Sequence, residues 1–267
     1  MKYSISNLSW GKTSLDEVIP RLSIAGLQGI EIAPTAIWPD LEILSDHEIV
    51  EFKRHLKSHG LVVSGIQSLL YGHPELQLFD YSCWKDLQRH LEKVIRIGGL
   101  LEASVAVFGS PKNRIKGNLN VSEANELAST FLRKLNPCLK ENNIVLTLEP
   151  NAPDYGADYL TNYEEVTYLS KKINSSNIKP QIDTGCLWMV DSIPEEAYVS
   201  LKPHHIHLST PNLEEVPGTY HFDKLLQLTQ SSNYEGWLVI EMLGKGSNPL
   251  FQVMNSIRWL TSYKEGL

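Results

Sequence analysis

Leu146-Thr147-Leu148-Glu149-Pro150, Gln181-Ile182-Asp183-Thr184-Gly185, His205-Ile206-His207-Leu208-Ser209 and Leu238-Val239-Ile240-Glu241-Met242 decide how this chain folds. Each is a short strand-like run that carries a metal-ligand type of residue at or near its end. Leu148, Ile182, Ile206 and Ile240 stand immediately before Glu149, Asp183, His207 and Glu241. Side chains of a strand alternate between its two faces, so the branched apolar residues point one way and the four polar residues the other. The ligand-type residues are spaced by 34, 24 and 34 positions, each gap long enough for a helix and a return to the sheet. In a closed β/α barrel this spacing brings all four to the C-terminal mouth, where such folds keep their chemistry. A single acid at a strand end is usually a solvated loop residue or a helix cap; four strand ends of the same parity point to a joint site. Three carboxylates and one imidazole suit Mn²⁺, Mg²⁺ or Co²⁺ better than Zn²⁺, and the lack of thiolates among them disfavours a closed structural zinc site.

Outward from these segments the chain repeats a strand-then-helix unit. Strands are expected at Tyr3–Leu8, Gly29–Ile32, Leu61–Gln67, Ser104–Phe108, Asn143–Glu149, Ile178–Asp183, His204–Leu208 and Trp237–Glu241. Helical patterns lie at Ser14–Ala25, Asp46–Ser58, Trp84–Ile97, Val121–Lys140, Tyr163–Ile173, Phe222–Gln230 and Pro249–Leu260. Pro194-Glu195-Glu196-Ala197 can start a short helix in the sixth crossover. Ser14 and Asp46 are expected N-caps, and Gly60 and Gly98 stand where helices commonly stop. Strands alternating with helices make a parallel sheet, and eight units fill an α/β fold of the (β/α)8 TIM-barrel type. An open doubly wound sheet is the alternative, but no Gly-rich phosphate loop follows the first strand. No low-complexity or linker-like stretch divides residues 1–267, which are expected to form one barrel domain.

The length of 267 residues is close to the ~250 typical of such a barrel. A formal net charge of −7 argues against a broad basic face, so nucleic acid is not an expected partner. Cys83, Cys138 and Cys186 are odd in number and contain no Cys-x-x-Cys pair, which reads as reduced thiols in a cytoplasmic protein. The N-terminus has no apolar signal core and no run reaches the ~18 apolar residues of a membrane span.

At these residues the chain resembles the xylose-isomerase-like barrel superfamily, in particular its sugar-phosphate isomerase/epimerase branch. The resemblance spans essentially the whole chain. It is carried by Leu15-Asp16-Glu17 after the opening strand, by Gly26-Leu27-Gln28-Gly29-Ile30-Glu31-Ile32, and by the Leu-Glu-Pro, Ile-Asp-Thr-Gly, His-Ile-His-Leu and Val-Ile-Glu strand ends. It implies one divalent metal held by Glu149, Asp183, His207 and Glu241, and a homo-oligomer. Relatives often have a substrate-contacting His three residues after the strand-six Asp; here Cys186 departs from that pattern and is the expected substrate contact at that position.

The implied chemistry is isomerisation or epimerisation of a sugar, keto-sugar or sugar phosphate. A divalent ion chelated by a carbonyl and its neighbouring hydroxyl stabilises an enediolate, which acidifies the adjacent C–H. Glu149 and Glu241, from well-separated strands, are the expected acid/base pair, one removing the proton and the other returning it. Loss of a β-hydroxyl from the same enediolate gives the alternative, a metal-dependent dehydratase. A three-zinc DNA-repair nuclease also uses this barrel, but needs histidines where this chain has Gln67, Phe108 and Glu214-Glu215. Expected substrate contacts are Glu31 and Gln67 at strand ends, with Tyr71 and His73 after them. Trp10 and Trp38 can wall a sugar ring. Lys112 and Arg114, in the loop Phe108-Gly109-Ser110-Pro111-Lys112-Asn113-Arg114, are expected to bind a phosphate or carboxylate. Asn151 and Asp154 are further candidates to orient Glu149 or touch substrate, and His205 to support His207.

Overall fold

The computed structural model describes residues 1–245 and 248–265. Eight parallel strands close on themselves in sequence order, with β1 (Lys2–Ser6) paired to both β2 (Gly29–Ile32) and β8 (Trp237–Ile240). Between them run β3 (Val62–Ile66), β4 (Val105–Phe108), β5 (Val145–Leu148), β6 (Ile178–Asp183) and β7 (His205–Leu208). This is the (β/α)8 barrel expected from the repeated strand–helix unit. Among the described residues no helix is long and apolar enough to cross a membrane.

The two faces of the strands do different jobs. Ile5, Ile30, Leu146, Leu148, Ile182, Ile206 and Ile240 are fully buried and join the apolar core with helix residues such as Leu22, Leu91 and Phe131. The opposite face is largely polar. Ser4 Oγ meets Ser64 Oγ across the barrel at 2.6 Å, Gln67 Nε2 donates to Ser6 Oγ at 3.0 Å, and Thr147 Oγ1 donates to Gln181 Oε1 at 2.5 Å. Barrel interiors are usually filled by branched apolar side chains. A polar interior is stable only because its groups pair with one another, since an unpaired buried polar group costs roughly 1–3 kcal/mol.

Three local readings change. The helix at Asp46–Ser58 is capped by Ser45, whose hydroxyl accepts from Glu48 N while Glu48 returns the bond to the Ser45 backbone, so Asp46 is the first helical residue and not the cap. Ser14 occupies the cap position of Leu15–Ile24 without a side-chain bond. Gly98 does not end its helix, which runs Trp84–Leu100; a Cβ there would lie 2.7 and 2.8 Å from Ile144 and Ile66 methyls, so the glycine allows the helix to approach the barrel. The expected long helix over Val121–Lys140 breaks into Val121–Lys134 and Asn136–Glu141, where Pro137 lacks the N–H to continue it. The sixth crossover contains Thr184–Met189 and Pro194–Leu201.

Candidate active site and metal centre

Strand register builds the site. Gln181 pairs with His205 and Asp183 with His207, so two steps along β6 and β7 place two polar pairs on the inner face. Glu149 follows β5 and Glu241 follows β8, each held to its neighbouring strand through its backbone N–H, to Phe108 O at 3.3 Å and Leu208 O at 3.0 Å. One potential ligand atom from each of Glu149, Asp183, His207 and Glu241 falls within 4.8 Å of the others.

His207 lies at the centre. Its Nδ1 is 2.9 Å from Glu149 Oε1, 3.0 Å from Glu241 Oε2 and 3.9 Å from Asp183 Oδ2. None of these oxygens is aligned as a hydrogen-bond partner, so Nδ1 is a buried polar atom without one. The other ring nitrogen, Nε2, contacts Glu31 Oε1 at 2.7 Å. A neutral imidazole that donates from Nε2 keeps its Nδ1 lone pair for a metal. Convergent carboxylates around an otherwise orphaned imidazole nitrogen therefore fit a divalent cation.

The electrostatics of the four groups agree with that fit. Burial, followed by the charges of Glu149 and Glu241, pushes the Asp183 carboxyl up to about 8. Burial lowers His207, but Glu241, Glu31 and Glu149 outweigh it and carry the imidazole well above its ordinary value. Both shifts favour the protonated forms, as expected of a site whose negative charge a cation would neutralise.

The four groups differ in access. The side chain of His207 is fully buried and that of Asp183 is 3% exposed, whereas Glu149 and Glu241 retain 9% and 15%. The two glutamates form the outer part of the cluster. Asp183 is locked beneath them: its Oδ1 accepts from Cys186 N at 2.6 Å and its Oδ2 from Ser209 Oγ at 2.9 Å. Gly185 is required for this packing, because a Cβ there would come within 2.6 Å of Thr210 O.

Glu149 is braced from two sides. Gln181 Nε2 donates to Oε1 at 2.8 Å and Asn151 Nδ2 to Oε2 at 3.2 Å. Each amide is itself oriented, Gln181 by Thr147 and Asn151 by Arg114, whose Nη2 donates to Asn151 Oδ1 at 2.7 Å. Gly109 makes room: a Cβ there would collide with Glu149 Oε2. Gln181 and Thr147 were legible in principle, since each lies two residues before a ligand and shares its inward parity. Tyr155 has no such signal. Its hydroxyl accepts from Asn212 N at 2.9 Å and ties the loop after β5 to the loop after β7.

Several expected substrate contacts have other partners. Glu31 is fully buried and accepts from both His205 and His207 at 2.7 Å, so the substrate-hydroxyl role is replaced by an internal one. The two imidazoles overcome the effect of burial and hold its carboxyl down at about 2. Arg114 is also fully buried, with Nη2 on Glu149 O at 2.8 Å and Nη1 on Phe108 O at 3.3 Å. Burial lowers its guanidinium to about 10 despite the nearby Glu149 charge. It braces the β4 and β5 ends and does not present its charge to an anion. Lys112 from the same loop is exposed. Gln67 directs Nε2 into the barrel, leaving a buried Oε1 without a partner. Cys186 is 3% exposed; burial, then Asp183 and Glu149, push its thiol well up, and the residue meets Asp183 through its backbone N–H. Trp10 packs in the core, while Tyr71 is 70% exposed and His73 pairs with Glu75. Glu214 pairs with Lys245 at 2.7 Å.

The same barrel occurs in solved structures of low sequence identity. D-psicose 3-epimerase, solved with D-fructose, superposes with a TM-score of 0.81 at 15% identity, covering 100% of this chain and 99% of its own. The 3-keto-D-glucoside 4-epimerase of E. coli gives 0.79 at 16%, covering 98% and 99%. The probable 3-DHS dehydratase of Bacillus anthracis gives 0.74 at 15%, again covering 98% and 99%. No curated protein sequence matches the chain significantly. Residues 20–263 match the family described as xylose isomerase-like TIM barrel, and with its closed eight-stranded barrel the chain belongs to that family.

Proposed function

We propose that the protein is a divalent-metal-dependent epimerase or isomerase of an uncharged sugar or keto-sugar. The observation that carries this reading is the buried His207 Nδ1, without a hydrogen-bond partner and surrounded by Glu149, Asp183 and Glu241. In that position a divalent cation supplies Lewis acidity to a carbonyl and its neighbouring hydroxyl, lowering the barrier to removal of the adjacent proton. Asp183 and His207 are the deep ligands. Glu149 and Glu241 are the outer ligands and, being the least buried of the four, the groups that face substrate. One takes the proton from carbon and the other returns it, to the opposite face in an epimerisation or to the neighbouring carbon in an isomerisation. Both named epimerase neighbours act on sugars or keto-sugars, which supports the substrate class. Leaving phosphate out of the proposed substrate is supported by Arg114, whose cation is committed to internal carbonyls.

The decisive experiment incubates the protein and Mn²⁺ with ketoses, keto-sugars and their phosphates in deuterium oxide, with a chelator control. Solvent deuterium at one carbon of an uncharged sugar, abolished by the chelator, is the expected outcome. Deuterium uptake accompanied by loss of water would assign a dehydratase instead, the activity named for one of the structural neighbours. Turnover that survives complete metal removal would overturn the proposal.

A further inference from the structure

We infer that Glu31 and His205 are positioning residues that hold His207 in the tautomer protonated at Nε2, with its Nδ1 lone pair aimed at the cation. The inference rests on the metal-site reading above. Glu31 ends the inward face of β2 and reaches across the barrel to β7. Its Oε1 lies 2.7 Å from His207 Nε2 and its Oε2 lies 2.7 Å from His205 Nε2, and all three side chains are fully buried. The two-residue spacing of the histidines puts both rings on one face, with centroids 5.3 Å apart, so a single carboxylate spans them. An ionised carboxylate only accepts hydrogen bonds, so each Nε2 must be the donor. Space for this arrangement is made by Gly65 on β3, where a Cβ would come within 2.7 Å of Glu31 Oε2.

His205 gives the carboxylate a second fixed donor and prevents it from turning away from His207. A glutamine at position 31 cannot reproduce the pattern, because it offers one acceptor and one donor. If its amide faced His207, that ring would have to accept at Nε2 and carry its proton on Nδ1, toward the cation site. If its amide faced His205, the proton would move to His205 Nδ1, which is buried and has no partner. Each orientation is penalised. The same three residues can also be imagined around a second cation, but each imidazole faces its own carboxylate oxygen at hydrogen-bond length, which favours the relay.

The test compares the unaltered protein with Glu31→Gln. Folding is followed by circular dichroism, Mn²⁺ binding by titration without substrate, and the histidine nitrogens by ¹⁵N NMR in the metal-free and Mg²⁺-loaded states. Expected are one bound Mn²⁺, a His207 Nε2 that keeps its proton in both states, and affinity about 10–100-fold weaker in folded Glu31→Gln. Unchanged affinity in the folded variant would overturn the inference, as would a His207 protonated on Nδ1 alone. Two bound Mn²⁺, one of them lost in the variant, would replace the relay with a second cation site. If the unaltered protein binds no divalent cation, the proposed function fails, while the NMR tautomer still judges the relay. That measurement also decides the matter if the variant does not fold.

Discussion

Glu149 and Glu241 approach the same imidazole nitrogen at 2.9 and 3.0 Å, yet the protein holds them very differently. Both Glu149 oxygens receive amide donors, and both amides are oriented by further buried residues, Thr147 and Arg114. Around Glu241, among the described residues, no side-chain donor is hydrogen-bonded to the carboxylate, and it is the more exposed of the two. The difference separates preorganisation from freedom. Under the proposed function, hydrogen bonds that fix Glu149 before substrate arrives would remove reorganisation from the chemical step. Glu241 is placed by its strand and by His207, which under the proposed function leaves it room to adjust to a substrate. A hydrogen-bond network on one side of the mouth and a nearly bare carboxylate on the other can therefore share one chemistry.

The largest expected effect falls on both glutamates equally. With saturating Mn²⁺, Glu149→Gln or Glu241→Gln should each lower kcat by roughly 10²–10⁴-fold, because the amide keeps a ligand oxygen but cannot take a proton. In an epimerase each variant should still exchange deuterium from one epimer and not the other, which assigns a glutamate to each face. Near-normal turnover in a metal-saturated variant would place the base elsewhere and end the comparison.

Next in size is the bracing itself. Asn151→Ala removes the donor to Glu149 Oε2 and leaves the Arg114 Nη2 contact unfilled, so urea unfolding should show a loss of about 1–3 kcal/mol. Turnover should fall less than in Glu149→Gln. An unchanged stability and kcat would mean that the network around Glu149 is ornamental and the two glutamates equivalent.

The pH dependence sharpens the picture of what the shared centre lacks when metal-free. Asp183 stands at about 8 in the folded chain, through burial and then the Glu149 and Glu241 charges. Unfolded, it returns to the ordinary carboxyl range near ~4. The folded chain thus holds more protons across that window, and the stability this supplies is fully present below about pH 4 and lost as pH rises through about 8. His207, raised in the folded chain, acts in the same direction above its ordinary value. Glu31, lowered to about 2, has the opposite sign, but its contribution is lost only on acidification below the carboxylate range. The metal-free melting temperature should fall from pH 5 to pH 8, and the gain on adding Mn²⁺ should be larger at pH 8. An equal gain at both pH values would show that the cation does not replace those protons.

The smallest effect belongs to the rim. Lys112 is exposed, and an exposed charge contributes roughly 0–1 kcal/mol. Lys112→Ala should therefore change KM for a neutral sugar and for its phosphate by less than about threefold each. A selective and much larger loss for the phosphate would restore the anion-binding role first expected of this loop.

Residue parity determined a great deal. Alternation at Leu148-Glu149, Ile182-Asp183, Ile206-His207 and Ile240-Glu241 specifies which side chains share a face, because a strand turns its side chains by half a revolution per residue. With repeated strand–helix spacing, that was enough for the barrel and for the convergence of the four groups. What alternation cannot specify is which inward residue meets which across the barrel. Glu31 and His205 lie 174 positions apart, and only closure of the sheet brings β2 opposite β7. Loop residues lack even the period-2 signal: Lys112 and Arg114 are two positions apart, yet one is exposed and the other fully buried behind Glu149. The sequence by itself determined the faces, through local backbone geometry. Tertiary structure alone decided the partners, because a buried charge settles wherever the closed fold brings acceptors within hydrogen-bond reach.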